Sequence, residues 1–343
     1  MSPELIPTFA TTDQIRISYQ LPAINKVEKV TKGTVSHNYI LETGDGTKYF
    51  LRRYGNQDLK IITQILYGLD WMGNRGVPAI LPLVGTQGQL WEPVDDIYYS
   101  LFPAVSGLEL ESVPNRTIAI SSLGANLAAI HLAGKLDAPI PNIEVSNWRW
   151  DTPKFKTEAE QLGSVINSRI NSDESGFVPL ALDAISFKVG QIEQLSFRAE
   201  DLQLHSDHLI HGDYNSGNMF FGPDSRVTHI FDWDHLHVYV RGFELLKSIF
   251  ITCFDDGCDE SAWAEAELYL KSYHQVYPLS KRELVDSLKL LYANRLHHLW
   301  FEKAHFQLGD WRGDQYLAPN LNIIKYLSSN LEAVSDRFLA VLD

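Results

Sequence analysis

The chain has 343 residues, 45% of them hydrophobic, with 29 Lys and Arg against 43 Asp and Glu, for a formal net charge of −14. That length and apolar content suffice for packed cores in two domains or lobes, and the acidic balance argues against nucleic-acid binding, which draws its affinity from Lys and Arg neutralising phosphates. Cys253 and Cys258 cannot staple so long a chain and read as reduced thiols. With no basic start followed by an apolar run, and no segment of about 18 uncharged apolar residues, the expectation is a cytoplasmic protein without a membrane partner.

The first hundred residues read as strands with one helix. In "TVSHNYILETGDGTKYFLRRYG" two β-favouring runs flank Gly44-Asp45-Gly46, residues that tolerate the positive φ a tight hairpin needs. A helix follows in "DLKIITQILYGLDWMGNRG", with Ile62, Ile65, Leu66 and Leu69 at helical spacing and a stop at Gly73 and Gly76. "AILPLVGT" and "IYYSLFPAV" complete the β-rich part as two further strands. A boundary near residues 103–107, in "PAVSG", divides the chain into an N-terminal lobe, 1–103, and a C-terminal lobe, 104–343.

Beyond that boundary helices dominate. "IAISSLGANLAAIHLAG" puts Ile120, Leu123, Leu127 and Ile130 on one face and stops at Gly134. "ESAWAEAELYLKSYHQVY", "KRELVDSLKLLYANRLHHLWFEKAHFQ" and "NIIKYLSSNLEAVSDRFLAVL" also read as helices, while "PIPNIEVSNWRWD" reads as a connection. Between them lies a β-like island, 209–233. A β-rich lobe joined to a helical lobe makes a cleft, where small ligands bind.

The island holds the chemistry. His205, His208 and His211, three apart, raise the question of zinc. Leu209-Ile210 before Gly212 reads instead as a strand entering a loop, and on a strand His208 and His211 face opposite ways. The other reading uses oxygen ligands. Mg²⁺ takes one or two carboxylates or amides plus substrate phosphates, and phosphoryl transfer needs an acceptor for the incoming hydroxyl's proton beside them. Asp213, Asn218 and Asp232 supply that set if "FFGPDSRVTHIF" forms a hairpin turning at Gly222-Pro223-Asp224-Ser225.

"HGDYNSGN" followed by "IFDWD" resembles the kinase-like phosphotransferases that act on aminoglycosides, choline, homoserine and related small molecules. "TKGTVSHNYILET", "YFLRRY" and "LGANLAAIHLAG" extend the resemblance from about residue 25 to 250. It implies an α+β, two-lobed protein-kinase-like fold, with a small antiparallel β-rich N-lobe and a larger, mainly helical C-lobe. It further implies ATP, with GTP the open alternative, and Mg²⁺.

Residue by residue, the resemblance makes Asp213 the catalytic aspartate and Asn218 and Asp232 the metal ligands, with His211 bracing the loop. Gly33, Ser36 and Asn38 would lie over the phosphates, and the hinge "SLFPAV", through Leu101, Phe102 and Ala104, would meet adenine. The family's phosphate-binding lysine is replaced by Arg52 or Arg53; alternation lets only one face the ligand, and the strand-end alignment favours Arg52. The glutamate that normally pairs with that cation is absent from 55–76, where Gln64 stands nearest. Glu244 stands where relatives often have Asp, and Asp234 is left between a metal or substrate role and a turn cap.

The expected acceptor is a small-molecule hydroxyl. Asp255 and Asp256, with Glu302, Asp310 and Asp314, would form an acidic rim for an amine-bearing acceptor, against the plainer reading of a solvated acidic loop. Arg295 and Trp300 are further substrate candidates, and Trp148, Trp150 and Trp311 could box a cationic or sugar face. A nucleotide-binding pseudokinase and a protein Ser/Thr kinase remain alternatives on the same fold. No activation segment is visible between "DWD" and "RGFELLKS", which favours small acceptors. The sequence leaves the oligomeric state open.

Overall fold

The computed structural model describes residues 7–30, 37–55, 57–136, 143, 145–169, 176–254 and 257–343. In chain order these form α1 (Phe9–Ser18), β1 (Ile24–Lys29), β2 (His37–Thr43), β3 (Lys48–Arg53), α2 (Leu59–Gly73), β4 (Glu92–Val94), β5 (Ile97–Pro103) and α3 (Arg116–Ala133). There follow α4 (Thr152–Asn167), α5 (Phe177–Glu193), β6 (His208–Ile210), β7 (Met219–Phe221), β8 (Val227–Ile230) and β9 (His237–Tyr239). The chain then continues through α6 (Arg241–Cys253), α7 (Glu260–Val276), α8 (Lys281–Leu296), α9 (Trp300–Lys303) and α10 (Leu317–Val341). The class is α+β, as the sequence implied.

Two compact units emerge. The first takes in the described residues up to Ala119, Ile143 and 217–236; the second holds the rest. The 103/104 boundary therefore falls inside the first unit, which also includes the β7–β8 hairpin.

In the first unit the sheet is antiparallel, in the order β1-β2-β3-β5-β4. Alternation puts Leu41, Leu51 and Leu101 on one face, fully buried against Ile15 of α1. The β2–β3 turn closes as its residues dictate: Gly46 adopts φ +83°, and Asp45 Oδ1 accepts the Thr47 N–H at 3.0 Å. Helix α1 replaces what the sequence suggested was strand. Thr8 Oγ1 caps it by accepting the Thr11 N–H at 3.1 Å, and Ile15 and Tyr19, four apart, share its buried face. Its Thr and Ile content, weakly helical by propensity, concealed it. "AILPLVGT" forms no strand; it is held by a bridge from Ala79 to Ile230 and by isolated bonds such as that from the Leu83 N–H to the Leu101 carbonyl. Pro82 removes a donor from the middle of that run.

The β7–β8 hairpin turns where expected, with the Gly222 N–H donating to the Arg226 carbonyl at 2.8 Å and Ser225 at φ +65°. It packs against Gly107, where an added Cβ would lie 2.6 Å from Phe220 Cβ.

The second unit is helical around the short β6–β9 pair. Helices α4 and α5 were not read from the sequence. Helix α7 packs so tightly on α3 that a Cβ at Gly124 would overlap the Tyr269 carbonyl oxygen. The long helix read across 281–307 is broken after Leu296 and ends in a π-turn, Ala304–Leu308. At the break, fully buried Lys188 donates to the His298 carbonyl at 2.8 Å and to Glu302 Oε1 at 2.7 Å. A carbonyl released from the helix ladder thereby finds a donor.

Candidate active site

In the second unit, β6 delivers its chain into the loop that carries Asp213. The loop is held from below by Glu244, one turn into α6 and fully buried. Its Oε2 accepts the His211 N–H at 3.1 Å and His131 Nε2–H at 2.9 Å, and its Oε1 accepts the Gly212 N–H. Burial alone would push this carboxyl up; the bond and charge of His131, then His211 and the Gly212 N–H, outweigh burial and hold it below the usual range. Burial drives His131 the other way, against the pull of Glu244, and its ring spans the two groups, Nε2 facing Glu244 and Nδ1 meeting the Tyr273 hydroxyl at 2.7 Å.

His211 itself is fully buried, and its Nδ1 accepts the Asp213 N–H at 3.2 Å. That is the bracing role the resemblance implied. Tyr214, also buried, donates its hydroxyl to the Leu123 carbonyl of α3 at 3.0 Å. From the far side Lys247, three residues after Glu244, donates to the Gly212 carbonyl at 2.9 Å and to Asp213 Oδ1 at 3.1 Å. Helix α6 thus grips the loop with an acid on one backbone edge and an amine on the other. Lys247 was missed in the sequence; its i, i+3 spacing from Glu244 was the available signal. The Asp213 side chain keeps 35% of its surface exposed, so its carboxylate remains able to meet a hydroxyl.

The zinc alternative finds no support. The His208 ring sits between Asp207 Oδ1, at 2.6 Å, and the Tyr277 hydroxyl, at 3.0 Å, His205 is exposed, and no trio of His, Cys, Asp or Glu is poised around one point among the described residues.

In the first unit, the Phe231 N–H donates to the Asn218 carbonyl at 3.0 Å, so the hairpin returns the chain from β8 to the start of β7, with Asp232 next in line. Asp232 adopts φ +62°, a left-handed conformation costly for a non-glycine residue, and its side chain is half exposed. Asp234 follows, mostly buried. Arg52 is the arginine that faces them: its guanidinium bonds Asp234 Oδ2 and lies 3.9 Å from Asp232 Oδ1. Arg53, on the opposite face, reaches the Tyr99 hydroxyl. Asp234 therefore gives Arg52 a carboxylate partner where 55–76 offer no glutamate. Burial pushes its carboxyl up, opposed by Arg52 and reinforced by Asp232, and its Oδ1 is buried with no hydrogen-bond partner among the described residues. Asn38 pairs in register with Arg52 across β2–β3, on the same face, and its Oδ1 is likewise buried and unpartnered.

Asp232, Asp234 and the Asn218 amide offer the hard oxygen donors that Mg²⁺ takes, and the orphaned Oδ1 of Asp234 is a buried acceptor with a lone pair to spare. These residues fit that ion. Gly33, Ser36, Asp255 and Asp256 lie outside the described residues. Of the hinge, Leu101 is fully buried with its carbonyl accepting the Leu83 N–H at 2.7 Å, and the Ala104 N–H donates to the Lys48 carbonyl at 3.3 Å. Phe102 is buried edge-on to Phe50.

Of the expected acidic rim, the three carboxylates among the described residues are paired. Glu302 is fully buried with Lys188, Asp310 pairs with Arg312 at 2.7 Å, and Asp314 pairs with His305 at 2.8 Å. Arg295 bonds Asn320, and Trp300 is 46% exposed against Phe301.

The family model described as the phosphotransferase enzyme family matches residues 26–279. The chain belongs to this family. That makes it a small-molecule phosphotransferase, and the pseudokinase alternative gives way. A homoserine kinase of Caulobacter sp. (strain K31) is 23% identical over 300 residues, spanning 85% of this chain and 83% of that protein. Among solved structures, an amicoumacin kinase in complex with AMP-PNP, Ca²⁺ and its antibiotic superposes with a TM-score of 0.60 at 14% identity, over 95% of this chain and 93% of that one. A microcompartment-associated aminopropanol kinase gives 0.59 at 16% identity, over 97% and 100%. Likeness at such low identity establishes the kinase-like fold. No helix among the described residues is long and apolar enough to cross a membrane.

Proposed function

We propose that this phosphotransferase moves the γ-phosphate of ATP, with Mg²⁺, to a hydroxyl of a small molecule, with Asp213 as the catalytic aspartate. The observation that carries the reading is the double grip on the Asp213 loop: Glu244 fixes its amides, Lys247 its carbonyl and carboxylate. A carboxylate held in place by Lys247 and partly open can orient a hydroxyl and take its proton as the phosphoryl group arrives.

Asn218 and Asp232 are the proposed Mg²⁺ ligands, supported by the hairpin bond between Phe231 and Asn218 and by the half-exposed carboxylate of Asp232. When bound, the ion neutralises charge on the transferring phosphoryl group. Arg52 is the proposed phosphate contact, kept on that face by Asp234. An arginine fork can grip two phosphate oxygens where relatives use a lysine point charge. Asn38, on the same face, is a proposed neighbour of the phosphates. Gly33 and Ser36 are proposed to cover them, and Leu101, Phe102 and Ala104 to flank the base. The similarity to structures holding AMP-PNP, and to a homoserine kinase and an aminopropanol kinase, favours a small metabolite over a protein acceptor.

The test is ADP release with Mg²⁺ against a panel of amino alcohols, hydroxy acids, sugars and aminoglycosides, run beside Asp213→Asn. Wild type should turn over at least one acceptor class and the variant should lose that turnover. Equal residual rates in both, for every acceptor, refute the assignment of Asp213.

A further inference from the structure

A second concave feature lies wholly within the helical unit, walled by the connection 147–151, the start of α4, β9 and the end of α8. It encloses about 300 Å³, at the lower end of ligand pockets and suited to a small metabolite. Trp148, Trp150, Phe155 and Tyr239 contribute ring surface to a lining that is otherwise mostly polar. Tyr239 pairs with His208 of β6, the strand that leads into Gly212 and Asp213.

The charges of this pocket do not balance. Its two carboxylates are engaged: Asp151 Oδ1 accepts the Lys154 N–H at 2.9 Å to cap α4, and Glu158 binds Lys303 Nζ at 2.5 Å. Its two cations, the ammonium of Lys154 and the guanidinium of Arg149, have no carboxylate partner among the described residues; Arg149 lies over the Trp148 ring at 4.8 Å. His298 also lines the pocket, and its imidazole is pushed down to about 4 by desolvation and by the charges of Lys188, Lys247, Arg295 and Lys303. Three of those cations are neutralised, Lys188 by Glu302, Lys247 by Asp213 and Lys303 by Glu158. Arg295 bonds only the amide oxygen of Asn320 among the described residues, and its Nε is buried without a partner. Arg149, Lys154 and Arg295 thus stand against Asp151 alone. His298 lies near enough to Lys247 to feel its charge, and Lys247 bonds Asp213.

We propose that this pocket receives the acceptor and that it selects an anionic one, a small hydroxy acid whose carboxylate meets Arg149 and Lys154 while its carbon skeleton lies on the Trp148 and Trp150 walls. A polyamine acceptor would be repelled by the same field. The word acceptor rests on the function proposed above; the anion preference does not.

The test is equilibrium binding to the full chain, followed by tryptophan fluorescence and confirmed by calorimetry, using two charge series of matched size: 4-hydroxybutanoate, butane-1,4-diol and 4-aminobutan-1-ol, then glucuronate, glucose and glucosamine. Within a series the anion should bind about tenfold or more tighter than the cation, the scale of one charge-assisted hydrogen bond. Arg149→Gln with Lys154→Gln, both exposed positions whose replacement spares the core, should abolish that ranking, and Asp213→Asn should keep it. No binding in either series, a cation bound as tightly as the anion, or a ranking that survives the double variant overturns the proposal. Loss of ADP release in Asp213→Asn is scored separately, so the kinase reading can stand while the anion preference falls, and the reverse.

Discussion

Glu244→Gln isolates the support beneath the proposed catalytic loop. In the wild type two carboxylate oxygens receive three donors, the N–H of part-buried Gly212 and, fully buried, the N–H of His211 and the Nε2–H of His131. A glutamine offers one acceptor oxygen and turns its NH₂ towards a donor. The lower-energy flip keeps the two bonds at the Oε2 position and leaves the Gly212 N–H facing an amide nitrogen. One orphaned buried donor costs about 1–3 kcal/mol, and loss of charge assistance on the other two about 1 kcal/mol more, so the variant should be less stable by about 3 kcal/mol. Glu244 is fully buried, so solvent screening does not reduce this figure. Urea denaturation at pH 7 should show the shift as a lower midpoint at unchanged slope. The folded pKa of Glu244 is lowered, so its contribution is complete above the ordinary glutamate value of about 4.3 and is lost as pH falls through the folded value. The wild type should therefore lose its advantage over the variant on the acid side. A difference at pH 7 within about 0.5 kcal/mol, the range of an inconsequential substitution, or stability curves parallel to low pH, would refute the account of Glu244 as an ionised clamp.

Lys247→Met should barely change stability, since its pair with Asp213 is partly solvated, but it should lower kcat in the ADP-release assay, because Asp213 and the Gly212 carbonyl lose the donor that holds the loop in place. Lys188→Met strands Glu302 in a fully buried site and should cost about 3–5 kcal/mol, whereas Lys188→Met with Glu302→Met should recover most of the loss in a thermal or urea melt. Asp234→Asn removes the carboxylate facing Arg52, and fluorescent-nucleotide titration should show altered ATP affinity with the fold intact by circular dichroism. Gly124→Ala drives a methyl into the Tyr269 carbonyl and should lower the melting temperature by several degrees, about 2–4 °C per kcal/mol in a chain of this size.

Local chemistry was readable wherever a signal needs only neighbours in the chain. The Gly44–Gly46 turn, α2 ending towards Gly76 and the hairpin at Gly222–Ser225 follow from residue type and spacing, since φ tolerance and periodicity are local properties, and the motif at 211–218 and 231–234 was legible through its resemblance to the phosphotransferases. Helix α1 escaped because packing of Ile15 and Tyr19 on the sheet overrides weak propensity, and the run 79–86 because its apolar content says nothing of Pro82's missing donor. Tertiary structure alone decided which groups meet. Alternation allowed one of Arg52 and Arg53 to face the acids, but only the folded sheet and hairpin brought Asp234, distant in sequence, against Arg52 to replace the absent glutamate. The same holds for Glu244 and Lys247 on the Asp213 loop and for Glu302, which composition made an acidic rim and folding turned into half of a buried pair. A charge acquires its role from the partner that long-range packing delivers, and no local pattern encodes that partner.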